Sequence, residues 1–238
     1  MKRIKHLSIM TVLAVIVILT SCGGNTQKSN AANAGEEEAV ENAGSGLKEC
    51  PDDNHPHAID LGLPSGTLWA CCNLGANAPA DNGNYFSWGE TSPKNNYNWK
   101  TYQFGHDPDF LKSLGDITGT QYDAATQNWS QEWQMPTESQ IDELLNACRA
   151  NTWTEENGTF GRRFTAPNGA SIFLPAAGYK WENRLYSEGQ LGFYWSATET
   201  GGSEGAIYLA FNEQAADTPF KLKRVPGYTI RPVYHPSH

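Results

Sequence analysis

The sequence predicts an α+β domain, because two helix patterns come early in its globular part and strand-like segments fill the second half. The chain has 238 residues with 8 Trp, 10 Tyr and 9 Phe, and none of these aromatic residues precedes Trp69. Aromatic side chains supply much of the area that a core buries. The core therefore belongs to the C-terminal part of the chain, in which no internal repeat is visible.

Two helices are predicted, each from a capping residue. In the longer one, Thr137 is a suitable N-cap, and Gln140 three residues later completes a capping box. Its apolar face follows at i, i+3, i+4 and i+7 with Ile141, Leu144, Leu145 and Cys148. A shorter helix is predicted at residues 123–129, with Asp123 as its N-cap.

The strand candidates are short and are separated by turn residues. Residues 59–61 and 67–70 flank the Pro-Ser-Gly turn at 64–66. The Asn-Gly pair at 168–169 leads into a buried strand candidate at 171–174. Later strand candidates lie at 193–196, 206–211 and 228–233. We expect the side chains of these last three strands to alternate between core and solvent.

The N-terminal segment predicts export and membrane attachment rather than a folded domain. Residues 1–22 have a positively charged start, a short apolar run and the ending Leu-Thr-Ser-Cys, which is the pattern of a signal peptide. The ending resembles the bacterial lipobox, so Cys22 is the expected lipidation site; an uncleaved anchor is the alternative. Residues 23–49 are acidic and lack aromatic residues, which predicts a flexible tether. The globular domain is then residues 50–238.

The charge balance argues against one class of partner. Lys and Arg number 17 against 26 Asp and Glu, which gives a net charge of −9. Proteins that bind a phosphate backbone need clustered cations to displace its counterions. We therefore expect no nucleic-acid partner, and contact with a membrane only through the lipid anchor.

Six sequence blocks carry a family resemblance over about residues 57–234. In chain order they are IDLGLPSGTLWA (59–70), YFSWGET (85–91), WQMPT (133–137), PNGASIFLPAAGY (167–179), GFYWS (192–196) and GYTIRPV (227–233). Together they resemble the Fibrobacter succinogenes major paralogous domain. The resemblance implies a compact α+β, C-type-lectin-like fold with a loop-rich ligand face. It also implies a lipoprotein of the Bacteroidales type, attached to the outer membrane on its surface or its periplasmic side.

No catalytic role, cofactor or metal is predicted. The chain lacks the zinc motif His-Glu-x-x-His and the glycine-rich phosphate loops. His106 stands near Asp107 and Asp109, but the loose spacing favours a solvated loop over a zinc site. The Glu-Pro-Asn type of triplet, through which related lectin-like folds bind calcium, is also missing. A catalyst like the formylglycine-generating enzymes is the least favoured alternative.

Four cysteines follow the expected lipidation site, and an even number in an exported chain suggests disulfides. Adjacent Cys71 and Cys72 point to opposite faces of a strand, so they are not expected to bridge each other. We predict one disulfide between Cys72 and Cys148 and a second between Cys50 and Cys71. Four buried thiols are the alternative.

We expect recognition by the loops at residues 181–188, 199–205 and 212–223, because loops on a rigid scaffold usually carry function. The candidate ligand-binding residues are Trp181, Arg184, Tyr186, Glu199, Glu204, Asn212, Glu213, Lys221 and Lys223. Exposed aromatic rings suit the C–H faces of sugars. The sequence thus favours an adhesion module for a glycan or a protein on a cell surface. A structural subunit or tip of a surface assembly is the alternative.

Overall fold

A computed structural model describes residues 57–105, 107–200, 205–218 and 222–234 of the chain. All of them belong to one compact unit. The predicted signal peptide and tether lie outside the described residues, as do Cys22, Cys50, His106, Glu204 and Lys221.

The described residues contain three helices, α1 (Pro108–Leu114), α2 (Ala124–Asn128) and α3 (Glu138–Ala147). Both predicted caps are confirmed, because Asp123 caps α2 and Thr137 forms a capping box with Gln140 at α3. Helix α1 was not predicted. Its N-cap is Asp107, which the sequence had suggested as part of a solvated loop.

The strands of the described residues form four small antiparallel sheets. They are β1 (Ala58–Asp60), β2 (Leu68–Ala70), β3 (Trp133–Gln134), β4 (Thr152–Glu156), β5 (Thr159–Thr165), β6 (Ser171–Pro175), β7 (Tyr179–Trp181), β8 (Arg184–Tyr186), β9 (Gly192–Glu199), β10 (Gly205–Phe211), β11 (Ala216–Asp217), β12 (Leu222–Lys223) and β13 (Val233–Tyr234). The early helices and the strand-rich second half confirm the α+β class. In the part of the chain that the structure describes, no helix is long and apolar enough to cross a membrane.

The first sheet joins the two ends of the domain. Its strand order is β1-β2-β13-β3. Val233 lies opposite Trp69 on one side and opposite Gln134 on the other. The two predicted N-terminal strands are confirmed as β1 and β2. They pair with each other, and Ile59 lies opposite Trp69.

The second sheet is centred on β10, which pairs with β9, β11 and β12. Lys223 of β12 lies opposite Gly205 at the start of β10. Ala216 of β11 lies opposite Phe211 at its end. The segments that follow β10 are therefore held at opposite ends of this strand. The other two sheets are β4-β5-β6 and the hairpin β7-β8.

Strand β10 is buried along its whole length, so the predicted alternation between core and solvent is wrong. Trp195 and Tyr208 pack into a first core cluster. Tyr194 and Leu209 pack into a second cluster, which also contains Ile141 of α3. The side chains of β9 and β10 do alternate, but they alternate between the two core clusters. The reason is that the paired strands β9 and β10 lie between these clusters.

The predicted strand at 228–233 is only partly a strand. Regular pairing begins at Val233. The preceding residues form single bridges, Tyr228 with Phe86 and Thr229 with Tyr194. This segment crosses several parts of the chain in turn, and so it has no single neighbouring strand with which to pair.

Arg231 lies within this crossing segment and is 1% exposed. Its guanidinium donates hydrogen bonds to the Asn73 side-chain oxygen and to the Phe173 carbonyl, both at 2.8 Å. It also donates to the carbonyls of Ala70 and Cys71 at 3.1 and 2.8 Å. One buried side chain thus joins the crossing segment to the residues after β2 and to β6.

The predicted disulfide between Cys72 and Cys148 is not formed. Cys148 caps the end of α3 as a free thiol, fully buried in the second core cluster, and burial raises its pKa to about 11. Cys72 lies in a separate small cluster with Cys71 and Ala76. Because the apolar face of α3 turns Cys148 into the core, the thiol packs there as a small hydrophobic group.

The tryptophans in the sequence blocks at 59–70, 85–91, 133–137 and 192–196 are core residues. Trp69, Trp88, Trp133 and Trp195 are all buried. Trp88 donates its indole N–H to the Ser196 carbonyl at 2.8 Å, and Trp195 donates to the Phe86 carbonyl at 2.7 Å. These bonds satisfy the polar ends of the two rings inside the first core cluster.

Candidate functional site

Residues 181–188, predicted as a loop, belong largely to the β7–β8 hairpin. Tyr179 lies opposite Tyr186, and Trp181 lies opposite Arg184. Side chains of directly opposed residues lie on the same face of a two-stranded sheet. The structure therefore brings three of the predicted ligand-binding residues, Trp181, Arg184 and Tyr186, to one face of the hairpin.

An aromatic stack supports this face. The Tyr186 ring stacks on Tyr179, with 5.4 Å between the ring centroids and 19° between the planes. Tyr179 packs edge-on against Phe193 at 5.6 Å. Tyr186 is nevertheless 37% exposed. Trp181 differs, because it is half-buried against the first core cluster.

The hairpin is anchored along β7 and at its turn. Backbone groups of Glu182 and Tyr97 exchange two hydrogen bonds, both of 2.8 Å. Lys180 and Gly227 exchange two more, of 2.8 and 2.9 Å. Glu182 has a φ of +53°, which a non-glycine residue adopts only when surrounding contacts hold it there. The turn is therefore fixed by its neighbours.

The base of the hairpin closes on Gly178. Its φ is +63°, and a Cβ atom placed there would lie 2.0 Å from the Tyr186 carbonyl oxygen and 2.7 Å from the Glu188 nitrogen. Both neighbouring atoms belong to the backbone and cannot rotate away. Glycine at this position thus allows the end of β8 to pack against the start of β7.

A second aromatic group lies beside the hairpin. The Lys223 ammonium is 5.5 Å from the centre of the Trp99 ring, a cation–π contact. Trp99 packs edge-on against Tyr102 at 6.3 Å. Trp99 stands two residues after Tyr97, which is bridged to the hairpin turn. The hairpin, residues 97–100 and residues 223–227 together are called the hairpin platform below.

A buried carboxylate shapes the loop that carries Trp99. Glu90 accepts a hydrogen bond from the Gln103 backbone N–H at 2.7 Å and forms an ion pair with Lys94 at 2.6 Å. The Lys94 ammonium also lies 5.4 Å from the centre of the Tyr97 ring. Sequence reasoning missed these supports because the spacing of Glu90 and Lys94 outside a helix gives no recognisable pattern.

Glu199 is engaged in structural contacts. Its carboxylate pairs with Arg224 at 3.0 Å. Arg224 is buried, lies 4.7 Å from the centre of the Trp88 ring and donates to the Gly205 carbonyl at 2.8 Å. Burial lowers the pKa of Arg224, and the Glu199 carboxylate opposes that shift. Glu199 therefore balances a buried charge rather than standing open for a ligand.

Asn212 and Glu213 lie at the end of β10 opposite to Lys223, so the structure does not bring them together with the candidate residues of the hairpin. The Asn212 side-chain oxygen accepts from the backbone N–H groups of Gln214 and Ala215, both at 2.9 Å. The carbonyls of Asn212 and Glu213 each accept from buried Arg162 at 3.0 Å. A strand rises about 3.4 Å per residue, so the length of β10 separates this turn from Lys223.

The described residues contain no group of three or more His, Cys, Asp and Glu side chains that could hold a metal ion. A Gly-x-Ser-x-Gly sequence occurs at 201–205, but it connects β9 to β10. The serine elbow of hydrolases connects a strand to a helix.

The buried phenols are hydrogen-bond donors within the core. Tyr97 donates to the Tyr85 carbonyl, and Tyr85 donates to the Ala177 carbonyl, both at 2.6 Å. Burial raises the pKa of Tyr97 to about 12 and that of Tyr85 still further. Both hydroxyls therefore stay protonated near neutral pH and hold the Trp99 loop against the start of the hairpin.

Comparison of the chain with protein-family models, with curated proteins and with solved structures gave no match. The fold and the site define this protein as an α+β domain with small antiparallel sheets and an anchored aromatic hairpin.

Proposed function

We propose that this chain is an exported, lipid-anchored binding module with a C-type-lectin-like fold that recognises a glycan or a protein on a cell surface. The observation that carries the proposal is the register of the β7–β8 hairpin, which puts Trp181, Arg184 and Tyr186 on one face. The six-block family resemblance supports the fold assignment and the attachment to an outer membrane.

The hairpin has the properties of a recognition surface. Aromatic and Arg side chains dominate the energy of most binding interfaces. A surface that is held rigid before binding loses less entropy when a ligand arrives. Arg184 and Tyr186 are exposed on a strand whose partner β7 is held by backbone hydrogen bonds at Lys180, and the turn between the two strands is held at Glu182. Both conditions are thus met at the same place.

A second candidate function is a subunit or tip of a surface assembly. It is favoured by Phe160, which is 44% exposed and stacks on Trp153 with 6.2 Å between the ring centroids. Both residues belong to the β4–β5 hairpin, which is in a different sheet from β7–β8. The two candidate functions therefore depend on different residues and can be tested separately.

Replacing Arg184 or Tyr186 by Ala is expected to weaken ligand binding at least about tenfold, while the melting temperature changes by a few degrees at most. Truncating a central Arg or aromatic side chain typically costs about 2 kcal/mol or more of binding energy. Trp181→Ala is expected to lower the melting temperature as well, because Trp181 packs against the core. The measurements are binding to glycan and cell-surface protein arrays and thermal unfolding.

Two control variants match these changes on other surfaces. Arg149→Ala removes an exposed arginine at the end of α3, and Phe160→Ala removes an exposed aromatic ring from β5. Both variants should leave array binding unchanged. EDTA, which removes calcium, should also leave array binding unchanged, because the sequence lacks the calcium-binding triplet of related lectin-like folds. If Phe160→Ala abolishes binding and Tyr186→Ala does not, the β4–β5 hairpin is the binding surface and the assembly function is favoured.

Replacing Cys22 by Ala is expected to prevent acylation and to release the protein from the membrane fraction. The reason is the lipobox-like ending after a short apolar run, in which this cysteine is the only acceptor. Labelling with a fatty-acid analogue and membrane fractionation measure the effect, with Cys50→Ala as the matched control. Unchanged labelling of the Cys22→Ala variant would show that the segment anchors the chain in another way.

A further inference from the structure

The cations of this acidic protein are unevenly distributed over its surface. The chain has a net charge of −9. Three of its described arginines are buried: Arg162, Arg224 and Arg231. Lys94 and Arg163 form ion pairs with Glu90 and Glu156. Six described cations are neither buried nor in an ion pair with a described residue, and they are Lys100, Lys112, Arg149, Lys180, Arg184 and Lys223.

Four of these six belong to the hairpin platform: Lys100, Lys180, Arg184 and Lys223. Lys180 lies opposite Leu185, on the other face of the hairpin from Arg184, and its ammonium is 4.8 Å from the centre of the Tyr85 ring. Lys100, Arg184 and Lys223 are the cations that remain for a ligand.

The segments of the platform carry one carboxylate outside an ion pair, Glu182 in the turn. A second carboxylate, Glu188, follows β8 and accepts a hydrogen bond from Asn82. The platform is therefore net positive on a protein that is net negative. Such a local reversal of sign favours an anionic ligand, which the remaining surface would repel.

Aromatic rings lie among these cations. Tyr186 shares a hairpin face with Arg184. Trp99 lies beneath the Lys223 ammonium, which its ring helps to hold in place. Ring faces pack against the C–H groups of a sugar, while guanidinium and ammonium groups donate charge-assisted hydrogen bonds to carboxylates. A chain of uronic acid residues offers both features in every unit.

On this basis we propose that the hairpin platform binds an anionic polysaccharide that carries uronic acid carboxylates. This inference rests on the proposed function and names the ligand class for the same site. Arg184 and Lys223 contact the carboxylates, and Tyr186 stacks on a sugar ring. An acidic peptide fits less well, because β8 is only three residues long and offers little backbone for strand addition.

Affinity electrophoresis of the full-length protein tests the inference with three probes. These are polygalacturonate, its methyl ester, which keeps the sugar and removes the charge, and poly-glutamate, which keeps the charge and removes the sugar. Polygalacturonate is expected to retard the protein. The methyl ester should bind at least about tenfold more weakly, because it loses a charge-assisted hydrogen bond. Poly-glutamate should also bind about tenfold more weakly, because it has no sugar ring to stack on Tyr186. Added salt should weaken the binding of polygalacturonate.

Variants assign the effect to the platform. Arg184→Ala and Lys223→Ala are each expected to weaken polygalacturonate binding about tenfold. Arg149→Ala, which removes an exposed cation between α3 and β4, outside the hairpin platform, should bind like the wild type. Equal binding by the Arg184→Ala variant and the wild type overturns the inference.

The probes separate failure of the inference from failure of the proposed function. Equal binding of the methyl ester overturns the anionic ligand class but leaves a glycan-binding module. Equal binding of poly-glutamate also overturns the inference, because charge alone then explains the retardation. Absence of polygalacturonate binding overturns it as well, and array binding that depends on Tyr186 then decides the proposed function by itself.

Discussion

Replacing Arg231 by Ala is expected to lower the free energy of unfolding by about 4 kcal/mol or more, enough to unfold a domain of ordinary stability at moderate temperature. The change leaves four oxygens without their donor in a site where Arg231 is 1% exposed. Three are carbonyls, of Ala70, Cys71 and Phe173, and the fourth belongs to the Asn73 side chain. Each unsatisfied buried acceptor costs about 1–3 kcal/mol.

Urea unfolding of two further variants provides the comparison. Arg231→Lys keeps the charge, but an ammonium cannot reproduce the planar fork that reaches four acceptors, so we expect intermediate stability. Arg149→Ala on the surface should change the free energy of unfolding by no more than about 0.5 kcal/mol. If Arg231→Ala is as stable as Arg149→Ala, the four hydrogen bonds do not hold the crossing segment in place.

Replacing Gly178 by Ala is expected to abolish ligand binding and to lower the free energy of unfolding by about 3 kcal/mol. The new methyl group would lie 2.0 Å from the Tyr186 carbonyl oxygen at a φ of +63°. Strand β8 must therefore move away from the start of β7. Tyr186 then loses its stacking on Tyr179, and Arg184 leaves the face that it shares with Trp181.

Gly189→Ala is the matched control, because Gly189 lies at the end of the same hairpin with a φ of +72° and no heavy atom within 4 Å of an added Cβ. It should cost only the backbone strain, about 1 kcal/mol, and leave binding intact. Thermal unfolding and array binding are measured for both variants. Equal stability and binding of the two variants would contradict a tight closure at Gly178.

The local elements of the fold could be predicted because their signals lie within a few residues. Thr137 and Gln140 cap α3 as their spacing indicates, and Asp123 caps α2. The Asn-Gly pair at 168–169 precedes β6 as expected. A cap or a turn is closed by neighbouring backbone groups, so its pattern is readable without knowledge of the rest of the chain.

Burial and pairing over long distances were predicted less well. The alternation expected for β10 failed because this strand has a core on each side, which a single strand pattern does not reveal. The disulfide expected between Cys72 and Cys148 failed because the two thiols belong to different clusters. In both cases, the property depends on which distant elements pack against the residue.

The candidate site shows the same division. The sequence by itself determined that polar and aromatic residues cluster near Trp181, Arg184 and Tyr186, and these three share one face. It also grouped Asn212 and Glu213 with them, but β10 separates the two sets. Only the tertiary structure decided that Lys223 meets Trp99 and that the hairpin turn pairs with Tyr97. The reason is physical: composition and spacing fix local propensity and polarity, whereas a binding surface forms where segments distant in sequence are brought together by the packing of a common core.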